Sequence, residues 1–456
     1  MKTVLSIVAV LFFSLSIVAQ PNYNLNVYSV KAGQKANFYN NEANRLIKRG
    51  QFNEAVLNAA NALKLADKKG QIAEAHERLN DSYDRAIQEN LIRIETLKGN
   101  TETFNGDITV TELAEIVRIY KTMRNYNNVL RLVPPKSYRS VKKKDPGLHI
   151  EIENYKDDLD AAKKAFEQGK EMAAAMHYDK GRELSRNSDL ESNKQAAREF
   201  KWADMYVKGF RDAKARYATA KDLGTTRMGI TAMQSSSQAS SYGDLGSMTS
   251  EYLVSDLMSG NKYEFFDIVS RDQLDLILKE QQLNLSGMMD ESSTAAIGNL
   301  KGVNVLLVGK INTAAADRQS LQPMAKSYQA EVADGKEKYI DSEGKEKERT
   351  KYKTVYAVAQ IFTKTAQASA SGSFKILDVE TGTILKAGTV SGNYDWKYEW
   401  AKYTGDKRAL PGNVQSMVGR TEAQFPLNTV LVQNAVENLS KNLSNEVREY
   451  ANQVGR

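Results

Sequence analysis

The chain has 456 residues, with 63 lysines and arginines against 56 aspartates and glutamates, three histidines and no cysteine. The missing thiol excludes disulfides, thiolate catalysis, cysteine-ligated zinc or iron–sulfur centres and a lipid anchor on an N-terminal cysteine, so stability rests on core packing. A net charge of +7 spread among interspersed acids and bases reads as a solvated surface and not as a nucleic-acid footprint.

At the start, Lys2 precedes an almost uninterrupted apolar run from Val4 to Val18, and Ala19 before Gln20 supplies a small residue for cleavage. This predicts a secretory signal peptide over 1–19. The run is shorter than the roughly 20 apolar residues of a spanning helix and meets Pro21 and Asn22, which sets cleavage above the alternative of an uncleaved anchor. No other stretch is long and apolar enough for a membrane helix, so the mature protein is expected to be water-soluble or a β-type membrane protein.

From Gly33 to Lys221 apolar residues recur at helical spacing, with Pro134, Pro135 and Pro146 in connectors. In 49–67, Gly50 marks a helix–helix turn, Phe52 follows, and Ala55, Ala59 and Ala62 step along one face, with Tyr39, Ala43 and Leu46 on the preceding helix. Small residues at that spacing admit a second helix closely, and the pattern resembles a tetratricopeptide repeat. Weaker turn-then-alanine or turn-then-aromatic outlines recur in 124–134 and in 167–184, the latter with Gly169, Ala174, Tyr178 and Gly181. The other reading is a plain helical bundle with one repeat-like hairpin. Either arrangement presents a surface suited to partner proteins. The basic residues Lys136, Arg139, Lys142, Lys143 and Lys144 read as a solvated loop.

Near Leu223 the composition turns to short β-rich runs punctuated by glycine. Strands are expected at 227–233, 265–270 and 303–311, with a helix from an Asp244 N-cap to Met258 between the first two, and helices after Arg271 and around Ala295. Strands alternating with helices indicate a sheet covered on its faces. Residues 372–392 read as a β-hairpin turning at Asp378 to Gly382, and a final amphipathic helix from Leu427 points Val432, Val436, Leu439, Leu443 and Val447 inward. The fold class is therefore α+β and multidomain: a helical, repeat-like module over 20–222, an α/β domain over 223–448 with hairpin insertions at 314–371 and 393–424, and a tail over 449–456.

Three blocks of the α/β domain, 268–290, 295–311 and 375–392, resemble the curli production assembly/transport family, CsgG. Arg271, Leu274, Leu278, Glu280, Gly287, Gly298, Gly302, Gly309, Asp378, Thr381 and Gly382 stand where that family's pattern puts them. The resemblance covers about 223–448 and implies a periplasm-facing domain that assembles into an oligomeric ring. It further implies that each subunit donates two β-hairpins to a shared outer-membrane barrel for secretion of unfolded subunits, with no reaction catalysed. Three departures shape the transfer. Without cysteine this chain is not a lipoprotein. The first insertion carries a stretch, 334–353, dense in charge of both signs, and charges on a lipid face cost roughly 2–4 kcal/mol each for Arg or Lys at the midplane. Its flank alternates, with Val355, Ala357, Ala359 and Ile361 on one side, as a barrel strand below a charged tip would. The loop before the first domain helix is short, with Tyr242 as its one aromatic and hence the candidate constriction residue. In the second insertion Tyr394, Trp396, Tyr398 and Trp400 share a face. Trp396, Tyr398 and Trp400 are candidate membrane-interface residues; the same face also reads as the packed side of an edge hairpin.

Chemistry is sparse. His76, His149 and His177 all lie in the helical half, none near another at ligand spacing, and each is expected to be a lone core or surface histidine. Neither a Ser-His-Asp triad nor a histidine-bound metal can form within the α/β domain, and no phosphate-binding glycine loop is present. Asp267, Asp272, Asp275 and Glu280 read as surface charges and not as the carboxylate pair of a cell-wall hydrolase. The expectation is a non-enzymatic, exported assembly or secretion component without cofactors, homo-oligomeric, binding protein partners through its helical module and no nucleic acid, in contact with the outer membrane. A soluble periplasmic adaptor that forms no pore is the alternative.

Overall fold

The computed structural model describes residues 34–133, 138–260, 263–269 and 302–455. The signal-peptide reading and the expected helices after Arg271 fall outside these. The chain forms two compact units, one of Met1–Arg186 with Ala196–Tyr217 and one of Asn187–Gln195 with Ala218–Arg456.

In the first unit α1 (Ala36–Lys48) and α2 (Phe52–Leu65) form a short helical hairpin. Gly50 turns it with φ +69°, and the amides of Gly50 and Gln51 bond back to the carbonyls of Ile47 and Leu46. That pairing is the Schellman closure, which needs a residue in the left-handed region and so favours glycine. Tyr39, Ala43 and Leu46 on α1 and Phe52, Ala55, Ala59 and Ala62 on α2 are buried as the repeat-like reading expects. The next helices depart from that size: α3 (Lys69–Asn100), α4 (Gly106–Arg131) and α5 (Lys156–Leu184) have 32, 26 and 29 residues. The outline in 167–184 therefore marks no repeat turn, because Gly169 and Gly181 lie inside α5, and residues 124–131 of the other outline lie inside α4. Each glycine instead makes room for a neighbour: a β-carbon at Gly169 would stand 2.7 Å from Leu113 Cδ1, and one at Gly181 would stand 2.9 Å from Phe200 Cε1. Two further helices, α6 (Leu190–Tyr206) and α7 (Ala213–Gly224), carry the chain into the second unit.

Between α4 and α5 the chain at 138–155 is mostly irregular and is held by polar bonds to α3 and α4. Asn80 donates to the Gly147 carbonyl at 2.8 Å and accepts from the His149 amide at 3.0 Å, while Tyr83 donates to the Glu151 carbonyl at 2.9 Å. Buried Asp145 meets His76 Nδ1 at 2.9 Å and accepts from the amides of Val141 and Gly147.

The second unit is built on a sheet ordered β3-β1-β4-β5-β6. The strands are β1 (Thr226–Ile230), β2 (Gln234–Ser235), β3 (Phe266–Val269), β4 (Val305–Ile340), β5 (Glu346–Asp378) and β6 (Ile384–Gly405). β1 runs parallel to β3 and β4, and short β2 also pairs with β4 in parallel; β4, β5 and β6 form an antiparallel meander. Two helices, α8 (Leu245–Ser259) and, after a short α9 (Gly412–Val418), the long α10 (Asn428–Val454), pack on one face. Val432, Val436, Leu439, Leu443 and Val447 of α10 are all fully buried. Beneath them β5 presents Ala366, Ala368, Ala370, Phe374 and Ile376 at alternate positions. Small side chains there let α10 lie close, most tightly at Gly392 of β6, where a β-carbon would stand 2.1 Å from the Ala435 carbonyl oxygen.

The second insertion differs from the expected hairpin. β6 forms one side of it, but residues 406–427 return as a 3-10 turn (Lys407–Ala409), α9 and an irregular stretch, with no strand. The reason is local: Gly405 takes φ +100° where a β-carbon would meet the Tyr356 carbonyl oxygen at 2.4 Å, and Pro411 follows at the mouth of α9.

Candidate functional site

The most distinctive feature is the ribbon that β4, β5 and β6 make. At about 3.4 Å per residue, the 36 residues of β4 span on the order of 120 Å, far beyond the 9–11 residues of a membrane-crossing strand. β1 and β2 pair with β4 only between Val305 and Ile311. From Thr313 to Tyr328 the ribbon has three strands; above that, where β6 has ended at Gly405 opposite Ala357, only β4 and β5 continue.

The face of the ribbon opposite α10 changes character along its length. Near the base, registered rows such as Thr313–Ser371–Ser391 and Asp317–Gln367–Asp395 are polar. Higher up, Met324 stands beside Ile361 and Ala401, Tyr328 beside Ala357, and Ala330 beside Val355, with Val332 completing an apolar stretch interrupted by Lys326. From Met324 to Val332 this stretch is nine residues long, matching one membrane crossing. Beyond it comes the charged tip, closed at 341–345 by bonds from the amides of Glu343 and Lys345 to the Asp341 carboxylate. Tip charges pair across the strands, as in Lys336–Glu348, Lys338–Glu346 and Lys353–Asp334. The opposite face at the same height is more polar, carrying Ser327, Gln329, Glu331, Thr354 and Gln360 beside Val358 and Tyr356. Polar base, apolar band and charged tip thus follow one another on a single face.

The chain's own return segment partly covers this band. Ala409, Leu410 and Val414 pack on Val355, Ala357 and Ala359, with Tyr328, Ala330, Val332 and Val418 at the margin. Residues 420–426 then lie on the other face. Tyr398 donates to the Thr421 carbonyl, Lys364 to that of Ala423, and Arg318 to that of Pro426. Phe425 stands 5.8 Å from Trp396 by ring centroids and takes the Lys364 ammonium at 5.0 Å. Strand alternation without a register shift over this part of β5 puts the two groups of contacts on opposite faces.

The sequence-based site residues can now be placed. Trp396, Tyr398 and Trp400 share a face with Phe362, stacked in pairs: Trp396 with Tyr398 at 6.1 Å and Trp400 with Phe362 at 5.2 Å. Trp400 is buried, and residues 420–426 lie over the other two. Tyr242 ends a 3-10 turn (Ala239–Tyr242) and rests half-buried against the sheet core. Gly302 precedes β4 with open space around it, and Gly309 sits inside β4, where a β-carbon would meet Ser373 and Met233 at 3.0 Å. Asp378 accepts from the amide and hydroxyl of Thr381, and Gly382 closes the turn with φ +71°. Arg271, Leu274, Leu278, Glu280, Gly287 and Gly298 lie outside the described residues. The ribbon thus gathers Trp396, Tyr398 and Trp400 on one face, while Tyr242 and the Asp378 turn belong to the globular base. Sequence reading missed the β4 side of the band, Met324, Tyr328, Ala330 and Val332; their alternation was the available signal, broken by Lys326.

Two of the three histidines have carboxylate partners, while His149 is exposed. Besides the His76–Asp145 pair, His177 lies buried between Asp107, 2.9 Å from Nε2, and Glu199, 2.5 Å from Nδ1, stacked against Trp202 and Tyr206. Carboxylates accept only, so both ring nitrogens donate and the ring is the imidazolium. Burial alone would lower its pKa, but the bonds to Asp107 and Glu199 outweigh that and raise it to about 9. The imidazolium in turn holds Asp107 below the usual carboxylate range, while burial of Glu199 is outweighed by His177 and Lys180. Among the described residues no group of His, Asp and Glu could hold a metal ion, and no helix is long and apolar enough to cross a membrane.

Residues 219–320 match the family model of the curli production assembly/transport component CsgG. The CsgG match runs from the end of α7 through β1, α8 and β3 into the lower half of β4, and agrees with the resemblance read from the sequence. It takes in the motif positions from Arg271 to Gly309 and leaves Asp378, Thr381, Gly382 and the upper ribbon outside. It begins after the helical unit, so the tetratricopeptide-like reading there rests on the α1–α2 geometry. No curated protein matches the chain.

Proposed function

We propose that this protein is a non-enzymatic assembly or transport component exported to the periplasm, whose ribbon works at the outer membrane as part of a CsgG-like ring while the helical unit recruits partner proteins. The observation that supports this most is the order of surfaces on one ribbon face: polar base, nine-residue apolar band, charge-paired tip. A strand crossing lipid needs such a band, and a paired charge cluster at its end suits water beyond the bilayer. The CsgG match at the root of the ribbon supports the same reading.

The return segment favours a second reading. It covers part of the band, and up to Gly405 it leaves three strands per copy, so that over this height copies related by rotation about a common axis would meet through parallel strands, whereas barrels of this kind are antiparallel throughout. A soluble periplasmic adaptor accounts for both features. Membrane fractionation separates the two: the ring requires detergent for extraction and gives a multiple of the chain mass, whereas release by high salt or carbonate as a monomer establishes the adaptor.

A further inference from the structure

The stretch between α4 and α5 carries four cations in six residues, Arg139, Lys142, Lys143 and Lys144, with no acid among them. All four are exposed, and none has an ion-pair partner among the described residues. The first acid after them, Asp145, is turned inward. Its buried carboxylate meets His76 Nδ1 at 2.9 Å and accepts from the amides of Val141 at 2.7 Å and Gly147 at 2.9 Å, so it fixes the turn without pairing with the lysines. The Asp145 amide bonds back to the Lys142 carbonyl at 2.9 Å, and the Leu148 amide to that of Tyr138 at 3.0 Å. Gly147 takes φ +75° at the closure, where a β-carbon would meet the Tyr138 carbonyl oxygen at 2.9 Å. Sequence alone reads these cations as a solvated loop. A loop that is merely solvated needs no buried carboxylate to hold its shape, since ordering it costs conformational entropy.

The place of this turn adds an apolar element. Tyr138 donates to the Leu130 carbonyl at 3.0 Å, so the root of the loop sits on the last turn of α4. That turn ends in Arg131, which is exposed and likewise without an ion pair among the described residues, and is followed by Leu132, which is 63% exposed. Five cations and a bare leucine thus gather at one end of the helical unit. A bilayer surface answers both, with anionic head groups lying over hydrocarbon. An acidic protein patch would answer the charges and leave the leucine in water.

We propose that the end of the helical unit formed by Arg131, Leu132, Arg139, Lys142, Lys143 and Lys144 docks on an anionic phospholipid surface. The pinned turn holds its ammonium groups ready for the head-group phosphates, so little order has to be gained on binding. Attraction of this kind is screened by salt. The contact is independent of the ribbon and holds whether the chain forms a ring or a soluble adaptor.

The test is co-sedimentation of the purified full-length protein with vesicles of phosphatidylcholine alone or of an equal mixture with phosphatidylglycerol. Each cation at such a surface strengthens binding roughly fivefold, so Lys142→Ser/Lys143→Ser/Lys144→Ser should bind the anionic vesicles about a hundredfold more weakly. Lys142→Arg/Lys143→Arg/Lys144→Arg keeps the charge and should bind as the natural chain does. Lipid held by the ribbon is set apart by a local readout: an environment-sensitive dye on Ser140→Cys, the single thiol of that variant, shifts on anionic vesicles and not on neutral ones. Equal binding by the natural and serine forms, equal binding to the two kinds of vesicle, or a dye that shifts on neither overturns the proposal. Capture of polyglutamate with no preference for anionic vesicles overturns it too, and assigns the turn to acidic proteins. The ring is judged separately, by the detergent requirement, so either can fail while the other stands.

Discussion

Both units contain glycines where neighbours crowd in, and the difference between them shows how each is held together. In the helical unit the crowding atoms at Gly169 and Gly181 are ends or rings of side chains, Leu113 and Phe200. In the sheet unit the Phe374 ring crowds Gly388, but the tightest approaches are to backbone: the Ala435 carbonyl and Leu439 amide over Gly392, and the Met233 carbonyl over Gly246. A side chain can change rotamer to admit a methyl group, but a helix backbone must move bodily. At Gly169 and Gly181 local repacking is therefore open, whereas Gly392 fixes α10 on β6 at contact distance.

The largest expected effect follows from that contrast. Gly392→Ala should cost about 3 kcal/mol, at the upper end of overpacking, because α10 must lift from the sheet along its whole buried face. Gly169→Ala should lie near neutral, since displacing the Leu113 methyl is offset by the roughly 1 kcal/mol that alanine gains over glycine inside a helix. Denaturant unfolding of the two variants measures both; equal losses would break the distinction between backbone and side-chain crowding.

The units also differ in what lies at their centres. The sheet core is apolar, while the helical unit buries an ionic group, His177 between Asp107 and Glu199. His177→Ala should cost about 2 kcal/mol, the scale of hydrogen bonds to charged groups. The sign of its pH dependence is fixed. With a folded pKa of about 9 against 6.5 ordinarily, its stabilisation is complete below about pH 6.5 and is lost as pH rises through 9. Asp107 and Glu199 are both held low, so their share is present above the ordinary carboxylate range and is lost as pH falls through their folded values. The helical unit should therefore be most stable between about pH 5 and 6.5, and melting temperatures at pH 6 and 9 should differ by a few degrees in the natural chain and less in the variant. An unchanged difference would place the titrating group elsewhere.

Much of this was legible in sequence wherever one short segment decides the outcome. Gly50 and the alanines after Phe52 specify the α1–α2 hairpin, and the inward residues of α10 and the turn at Asp378 and Gly382 lie where their spacing puts them. The misreadings share a cause: partners distant in the chain. Gly169 and Gly181 resemble turn residues until Leu113 and Phe200 are seen against them. His76 and His177 look alone because their carboxylates stand between 22 and 70 residues away. Residues 393–424 read as a hairpin because the strand pattern of β6 is local, whereas its return is drawn off the strand path by Gly405 and Pro411 and held by Lys364, Tyr398 and Arg318. The apolar band was half visible, from β5 alone, since register with β4 is a property of the pair.

The smallest effect sharpens the comparison from the other side, because it tests a purely local contact inside the sheet unit. Asp244 precedes α8, and its carboxylate accepts from the Ser247 amide at 3.1 Å and the Ser247 hydroxyl at 2.7 Å. The first amides of a helix have no partner within it, so this bond satisfies one of them and sets a negative charge at the positive end of the helix dipole. Asp244→Ala should cost about 1 kcal/mol and Asp244→Asn only a fraction of that, since the amide oxygen still accepts. Unlike Gly392→Ala, neither change should alter the denaturant slope, because the buried surface of α8, with Leu245 and Leu253 fully enclosed, is untouched. A loss as large as that of Gly392→Ala would mean that the start of α8 governs the whole sheet, and that the rigidity assigned to α10 on β6 belongs instead to the Met233–Gly246 contact.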